Sequence, residues 1–415
     1  MNTKPIFSVV MPTRDRAEHL PNSIASVLDQ TFRDFELVIG DSFSQDSTPD
    51  VVKAFDDKRI KYFRSEKPLA MCDSHEHALS HASGEYILFL SDDDAFTPVT
   101  LERIRQVIDE NSPEVMVFRG SQYYRDGDFQ HERQIPANTL ATSKFGGNVH
   151  RLTREEAIGN LFRMYGLNGI KQNDDFIPYY QSNSVVHHSV YARIKAVRNE
   201  IFAVTPIDMY LAAAVIFATD HYYCLDEPMF VLQNWSSNTT ASAHKKQDSL
   251  REHYEKLLDG EVLQYTPLKF ALPLNCIIDA ILRAKADFDL ADEVKVSWYR
   301  YYVFSFDNLM YLRSAGVNVD REVREFIDVL AQEPEALQRR VMSNIKKLSF
   351  KLKQAMRKFP LVFRMARRLL INRRSDKFKF VGGAVNGFED VRGAGRYLYV
   401  RSLDGKVRRG TQPHP

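Results

Sequence analysis

Cysteine is scarce. The 415-residue chain holds three, Cys72, Cys224 and Cys276, an odd number widely spaced. That argues against a disulfide framework and against a cysteine-built zinc site, and it fits a reducing compartment. Long apolar runs are missing as well. The most apolar helical stretch, Met209 to Thr219, lies between Asp208 and Asp220, and it falls short of the roughly 20 residues that span a bilayer. The N-terminal Met-Asn-Thr-Lys-Pro leads straight into a strand pattern with no signal-peptide apolar region, so a cytoplasmic location is expected. A glycine-rich phosphate loop is lacking too, because neither G-x-G-x-x-G nor a Walker sequence follows the first strand. A nucleotide bound by this chain needs another way of holding its phosphates.

What is present is a globular balance, 44% hydrophobic and 27% charged, with length enough for two domains. Ile6–Met11, Phe35–Gly40, Ile60–Phe63 and Tyr86–Leu90 read as short buried strands. Apolar residues at helical spacing separate them: Leu20, Ile24, Val27 and Leu28, then a helix near Asp50–Phe55, then His75–Ser83. This βαβαβαβ alternation predicts an α/β fold with a parallel, doubly wound sheet. The first, second and fourth strands end in polar loops carrying Asp15, Asp41 and the triplet Asp92-Asp93-Asp94. In such a sheet those loops converge on one crevice at the carboxyl ends of the strands. Three adjacent carboxylates repel one another and invite a hard divalent cation. The competing reading is a solvated turn ahead of the next helix.

The blocks Val9-Val10-Met11-Pro12-Thr13-Arg14-Asp15-Arg16, Val38-Ile39-Gly40-Asp41-Ser42-Phe43-Ser44-Gln45-Asp46 and Gly84-Glu85-Tyr86-Ile87-Leu88-Phe89-Leu90-Ser91-Asp92-Asp93-Asp94 resemble the family 2 inverting glycosyltransferases of the GT-A fold, over roughly the first 110 residues. The resemblance implies a Rossmann-like, mostly parallel sheet and a nucleotide-sugar co-substrate. It places Pro12, Thr13, Arg14, Asp15 and Asp41 at the nucleotide, Asp92 near the ribose, and Asp93, helped by Asp94, on a divalent metal (Mn²⁺ or Mg²⁺). Ser91 stands at the first position of the family's DXD motif, often Asp. For Thr13 and Asp15 helix capping remains the alternative. The family's base and sugar pocket is lined by the segment holding Asp73, His75 and Glu76. His77 and His81 read as surface or packing residues. Further on, Asp208 follows Thr205-Pro206-Ile207 at a helix start. A negative side chain there favours the helix N-terminus, but the family places its catalytic base at this station. The usual acidic partner is Ile207 here, so the role falls to Asp208 alone. Tyr179, Tyr180, His187 and His188 precede it in a stretch the family turns toward the acceptor.

Between these blocks, Val115–Phe118 predicts a strand, Asp126-Gly127-Asp128 a hairpin turn, and 137–150 a polar loop. Residues 1–240 are thus assigned to a GT-A domain and 241–338 to an α-helical accessory region, with helices near 250–258, 267–288, 294–310 and 321–330. From 339 to 379 fifteen Lys or Arg stand against one acid, Asp376, a local charge of +14 that leaves −12 for the rest. Apolar residues recur through it at near-helical spacing. That pattern predicts an amphipathic helix on an anionic membrane surface, and with it a peripheral place on the inner face of the cell membrane. Nucleic acid is not expected, because no aromatic stacking platform accompanies the charge. Residues 380–415 read as a hairpin or loose tail. The expected function is metal-dependent, inverting sugar transfer to a saccharide or lipid-linked acceptor in cell-surface polysaccharide synthesis. The alternatives are a nucleotidyltransferase acting on sugar phosphates and an inactive nucleotide-sugar-binding module.

Overall fold

The computed structural model describes residues 4–126, 135–143, 145–171, 173–202, 206–234, 263–290, 294–314, 318–345, 378–382 and 386–408. At its centre β1 (Phe7–Thr13) lies parallel to β2 (Phe35–Asp41) on one side and to β4 (Tyr86–Phe89) on the other, and β2 pairs in parallel with β3 (Ile60–Arg64). The first two strands are apolar and almost wholly buried, as strands covered by helices on both faces must be. Their registers place Thr13 beside Asp41, Asp41 beside Arg64 and Val10 beside Phe89. The Asp-bearing loops therefore emerge side by side.

Helices α1 (Leu20–Leu28), α2 (Thr48–Lys53) and α3 (Met71–Ser80) make the crossovers. The carboxylate triplet then leads into a two-residue strand, β5 (Ala95–Phe96), and α4 (Thr100–Asn111). Beyond α4 the sheet becomes mixed. β6 (Val115–Tyr124), β7 (Thr139–Ser143), β8 (Val149–Thr153) and β9 (Ser184–His187) add to it with α5 (Arg154–Met164), a 3-10 turn (Gln181–Asn183) and α6 (His188–Arg198) between them. α7 (Ile207–Phe217) precedes the long β10 (His221–Asn234), which runs parallel to β6 and antiparallel to β5 and β8. The expected hairpin is present as the β6–β7 pair, whose turn residues 127–134 lie outside the described set. The stretch expected to be a polar loop contains β7 and the start of β8. Both pair at the margin of the sheet, where polar residues face water and little apolar alternation is required.

The accessory region is helical as expected: α8 (Pro273–Asp287), α9 (Trp298–Ser314), α10 (Asp320–Gln332) and α11 (335–345). It shares one core with the sheet, in which Val10 and Val117 belong to the same cluster as Ile278, Tyr301, Phe326 and Val341. α7 explains the continuity, since every residue of it except Asp208 is buried. A helix apolar all round must be covered on all sides. The expected helix near 250–258 and residues 346–377 lie outside the described set. Val341 and Ile345, placed at the head of the basic segment by the sequence, are core residues of α11.

The last residues overturn the expectation of a hairpin or loose tail. β11 (Phe378–Gly382) pairs antiparallel with β7 at one edge of the sheet, and α12 (Val391–Arg408) packs on α1, β5 and β10. No helix among the described residues is long and apolar enough to cross a membrane.

Candidate active site

The loops after β1, β2 and β4 meet, and polar contacts across them fix their shapes. Asp15, whose backbone has a positive φ of 53°, accepts from the backbone N–H of Gln45 at 2.7 Å, and its own N–H donates to Ser44 Oγ at 2.9 Å. Asp41 is fully buried. Its Oδ1 accepts from Ser44 N and Oγ at 2.8 and 2.6 Å, its Oδ2 accepts from Tyr62 Oη at 2.5 Å, and Arg64 Nε lies 3.5 Å away. Burial and this carboxylate together push the Tyr62 phenol far up. Both Asp residues thus shape the loops with their side chains. The capping alternative for Asp15 and Thr13 is not what is seen: α1 starts at Leu20, behind its N-cap His19, without a side-chain cap. Pro12 is half-buried in β1 opposite Gly40, Arg14 is exposed 3.8 Å from Asp15, and Asp73 is exposed in the first turn of α3.

The triplet divides its labour. Asp92 is buried with Arg16 Nε 3.6 Å from its Oδ1. Burial, reinforced by the charge on Asp93, pushes its carboxyl up to about 7. Thr13 Oγ1 is buried beside it without a hydrogen bond of good geometry. Asp94 points inward, accepting from Gln233 N at 2.9 Å, and burial and then the Asp93 charge hold its carboxyl well above the usual carboxylate range. Asp93, between them, is the partly exposed member. Two buried carboxylates so raised, on either side of a third, concentrate negative charge in one loop, an arrangement that fits a divalent cation. Among the described residues no group of three or more His, Cys, Asp or Glu could hold a metal. A cation at this loop would take one or two carboxylates, as Mg²⁺ usually does with nucleotides, and would draw its other ligands from phosphates or water.

Arg16, His19 and Gln233 were not singled out in the sequence. His19 is buried, with Nδ1 3.2 Å from Gln233 Nε2 and 3.4 Å from Arg125 Nη1, and burial lowers its pKa. Arg16 stood in a quoted motif, but nothing in its spacing shows that it reaches Asp92. Gln233 lies more than two hundred residues from His19, and no local pattern marks it.

The second part of the site is Asp208, in the first turn of α7. The N-cap is Pro206, and Asp208 stands half-buried as the second residue of the helix, where its N-terminus favours a negative side chain. Burial alone pushes its carboxyl up to about 6. Tyr165 and Tyr180 flank it: burial raises both phenols and the Asp208 charge raises them further. Tyr180 is 40% exposed, whereas Tyr179 is buried. The 3-10 turn that follows them links the two parts, since Ser182 Oγ lies 3.1 Å from Ser91 Oγ. Ser91, at the motif's variant position, is therefore a strut between the triplet and the Tyr180 segment.

His75 packs between Phe89 and Phe202, with ring centroids 6.1 and 5.3 Å away, while its Nδ1 donates to Met71 O at 2.9 Å. Glu76 accepts from the backbone N–H groups of Ile201 and Phe202. His81 stacks on Phe63 at 3.7 Å. These contacts tie α3 and its C-cap His81 to β3, β4 and Ile201-Phe202.

Residues 8–173 match the family model described as Glycosyl transferase family 2. Among curated proteins, a GalNAc(5)-diNAcBac-PP-undecaprenol beta-1,3-glucosyltransferase of Campylobacter jejuni is 29% identical over 168 residues, 38% of this chain and 54% of its own length. A UDP-Glc:alpha-D-GlcNAc-diphosphoundecaprenol beta-1,3-glucosyltransferase of Escherichia coli is 36% identical over 97 residues, 23% of this chain and 38% of its own. The chain thus spans about half the length, or less, of these relatives. Among solved structures, S. aureus TarS 1-349 in complex with UDP-GlcNAc superposes with a TM-score of 0.47 at 16% identity, covering 83% of this chain and 92% of that one.

Proposed function

We propose that this chain, whose residues 8–173 match the family 2 glycosyltransferase model, transfers a sugar from a nucleotide-sugar donor to an acceptor hydroxyl with inversion. The observation that carries the proposal is the pairing of two unlike carboxylate sites at one end of the sheet. One is the crowded triplet Asp92-Asp93-Asp94; the other is the unshared Asp208 at the head of α7. A group transfer from a diphosphate needs both, one to hold the departing charge and one to take a proton.

The nucleotide lies across the loops after β1 and β2, against Pro12, Thr13 and Arg14, and its shape is limited by the Asp15–Gln45 and Asp41–Ser44 contacts. The unsatisfied Thr13 hydroxyl is a hydrogen-bonding group ready for it. Asp73, exposed at the start of α3, meets the sugar side of the donor, and Asp92, held by Arg16, faces the ribose. Asp93 is the metal ligand, with Asp94 bracing the loop behind it. A divalent ion bound there would supply charge stabilisation for the leaving diphosphate. Asp208 accepts the proton of the attacking hydroxyl through its carboxylate oxygen, and its raised pKa places it closer to the working pH than an ordinary aspartate. The displacement passes through an oxocarbenium-like transition state, in which the C–O bond to the diphosphate breaks as the acceptor oxygen bonds from the opposite face. The saccharide or lipid-linked acceptor approaches past Tyr165 and Tyr180. The curated relatives named above carry lipid-diphosphate acceptors in their names, which supports a lipid-linked acceptor here. The +14 charge of 339–379 supports a place on the anionic inner face of a membrane.

The test is a panel of nucleotide sugars incubated with the full chain and Mn²⁺ or Mg²⁺. Release of free nucleoside diphosphate supports transfer. Pyrophosphate release points instead to nucleotidyl chemistry, and binding without either product points to a binding module.

A further inference from the structure

The C-terminal unit sits directly behind the carboxylate triplet. α12 packs on α1, β5 and β10, and each of these elements carries part of the donor site. α1 begins at Leu20, behind its N-cap His19 and one turn after Arg16, the partner of Asp92. β5 starts at Ala95, the residue after Asp94. β10 delivers the Gln233 N–H to Asp94. On its own β5 is weakly held, because it is two residues long and its ladder to β10 consists of Ala95↔Val231 and Phe96↔Phe230. α12 supplies the missing wall. Val391, Ala394 and Leu398 share one small core with Ala95 and Val231. A Cβ at Gly395 would lie 3.1 Å from the carbonyl oxygen of Phe96, so helix and strand touch backbone to backbone. At the far end of α1, Asp29 Oδ2 accepts from Arg392 Nε at 2.9 Å and from Arg396 Nη2 at 2.7 Å. Two guanidinium groups on one carboxylate give a directional, charge-assisted clamp.

We infer that α12 is a positioning element for the donor site, with Arg392, Arg396 and Gly395 setting the placement of Asp92–Asp94 through α1 and β5. The inference rests on the reading of the triplet as the donor and metal site. Residues that position a charged ligand must be held to a fraction of an ångström by what packs behind them. Among the described residues β5 pairs with β10 alone, and α1 and α12 both pack on it.

The experiment uses the full-length chain and reads donor hydrolysis with Mn²⁺, well below each variant's melting temperature. Arg392→Ala/Arg396→Ala and Gly395→Val are compared with wild type, with Arg392→Lys/Arg396→Lys, and with Leu330→Ala, which loosens the other core at α10, outside the cluster that α12 shares with β5. The expected result is a rise of about ten-fold in donor KM, and in the Mn²⁺ concentration giving half-maximal rate, for the first two variants, with kcat little changed. The Lys pair recovers most of this, and Leu330→Ala melts lower with donor KM unchanged. Ala/Ala and Val variants that melt lower but keep wild-type KM and Mn²⁺ dependence would overturn the inference. So would an equal KM rise in Leu330→Ala. A wild-type chain that neither binds nor hydrolyses any donor overturns the donor-site reading, and the inference with it.

Discussion

Desolvation of the half-buried Asp208 pushes its carboxyl up to about 6. A general base must be ionised, so kcat/KM should rise with pH through about 6 and level off above it, rather than near the ordinary aspartate value. A pH–rate profile flat from 5 to 8 would remove Asp208 from that role. Asp208→Asn should keep donor affinity and lose about 10²–10⁴-fold in transfer, which calorimetry and single-turnover assays separate. The same shift has a stability consequence. A carboxyl whose folded pKa is raised binds more protons folded than unfolded between the ordinary aspartate value and about 6, so its contribution to stability falls as pH rises through that window. Asp208→Asn should therefore melt higher than wild type above that window, and the difference should vanish below it. Asp93→Ala tests the other half of the site: metal-dependent donor binding should disappear while the melting curve without metal stays cooperative. At this scale the sequence showed the acids and missed their partners. Asp92, Asp93, Asp94 and Asp208 stand in recognisable surroundings, whereas Arg16, His19 and Gln233 acquire meaning only when β1, β4 and β10 are brought together.

Elements were legible where burial imposes a period and illegible where it does not. β1, β2 and β4 are apolar runs covered on both faces, and α7 is buried all round. β7 and β8 lie at the margin of the sheet and carry too few apolar residues to signal a strand. α12 was hidden for a different reason. Gly393 and Gly395 read as helix breakers, yet a Cβ at them would lie 2.9 Å from Phe388 Cβ and 3.1 Å from the Phe96 carbonyl oxygen, so the helix uses them for close approach. The same logic applies at Gly40 in β2, where a Cβ would lie 2.5 Å from the Cβ of Ala78 on α3. That contact presses α3, with His75 and Asp73, onto the strand that ends in Asp41. Gly40→Val should cost about 1–3 kcal/mol by overpacking, read as a lower denaturant midpoint with unchanged slope. An unchanged midpoint would mean that α3 can retreat from the sheet freely.

Across the whole molecule, charge and connectivity are arranged in opposition. The segment 339–379 carries +14 and the remainder −12, so the chain is bipolar although its net charge is only +2. Fifteen cations interleaved with apolar residues cannot be buried without stranding charge. An amphipathic helix at an anionic headgroup layer satisfies both faces, with attraction that salt weakens. From the sequence alone, truncation before Arg339 looks like a clean way to remove the membrane-binding part. The fold makes it a poor one. Val341 and Ile345 belong to the core shared by sheet and helices, and β11 and α12 return to complete the edge at β7 and the wall behind the triplet. The informative variant instead replaces 346–377 with a Gly/Ser linker of equal length, leaving both flanks in place. It should hydrolyse donor like wild type and no longer pellet with anionic vesicles, while zwitterionic vesicles bind neither protein. Truncation before Arg339 should lose vesicle binding and donor turnover together. If the linker variant still pellets with anionic vesicles as tightly as the intact chain, the membrane surface lies elsewhere on the molecule.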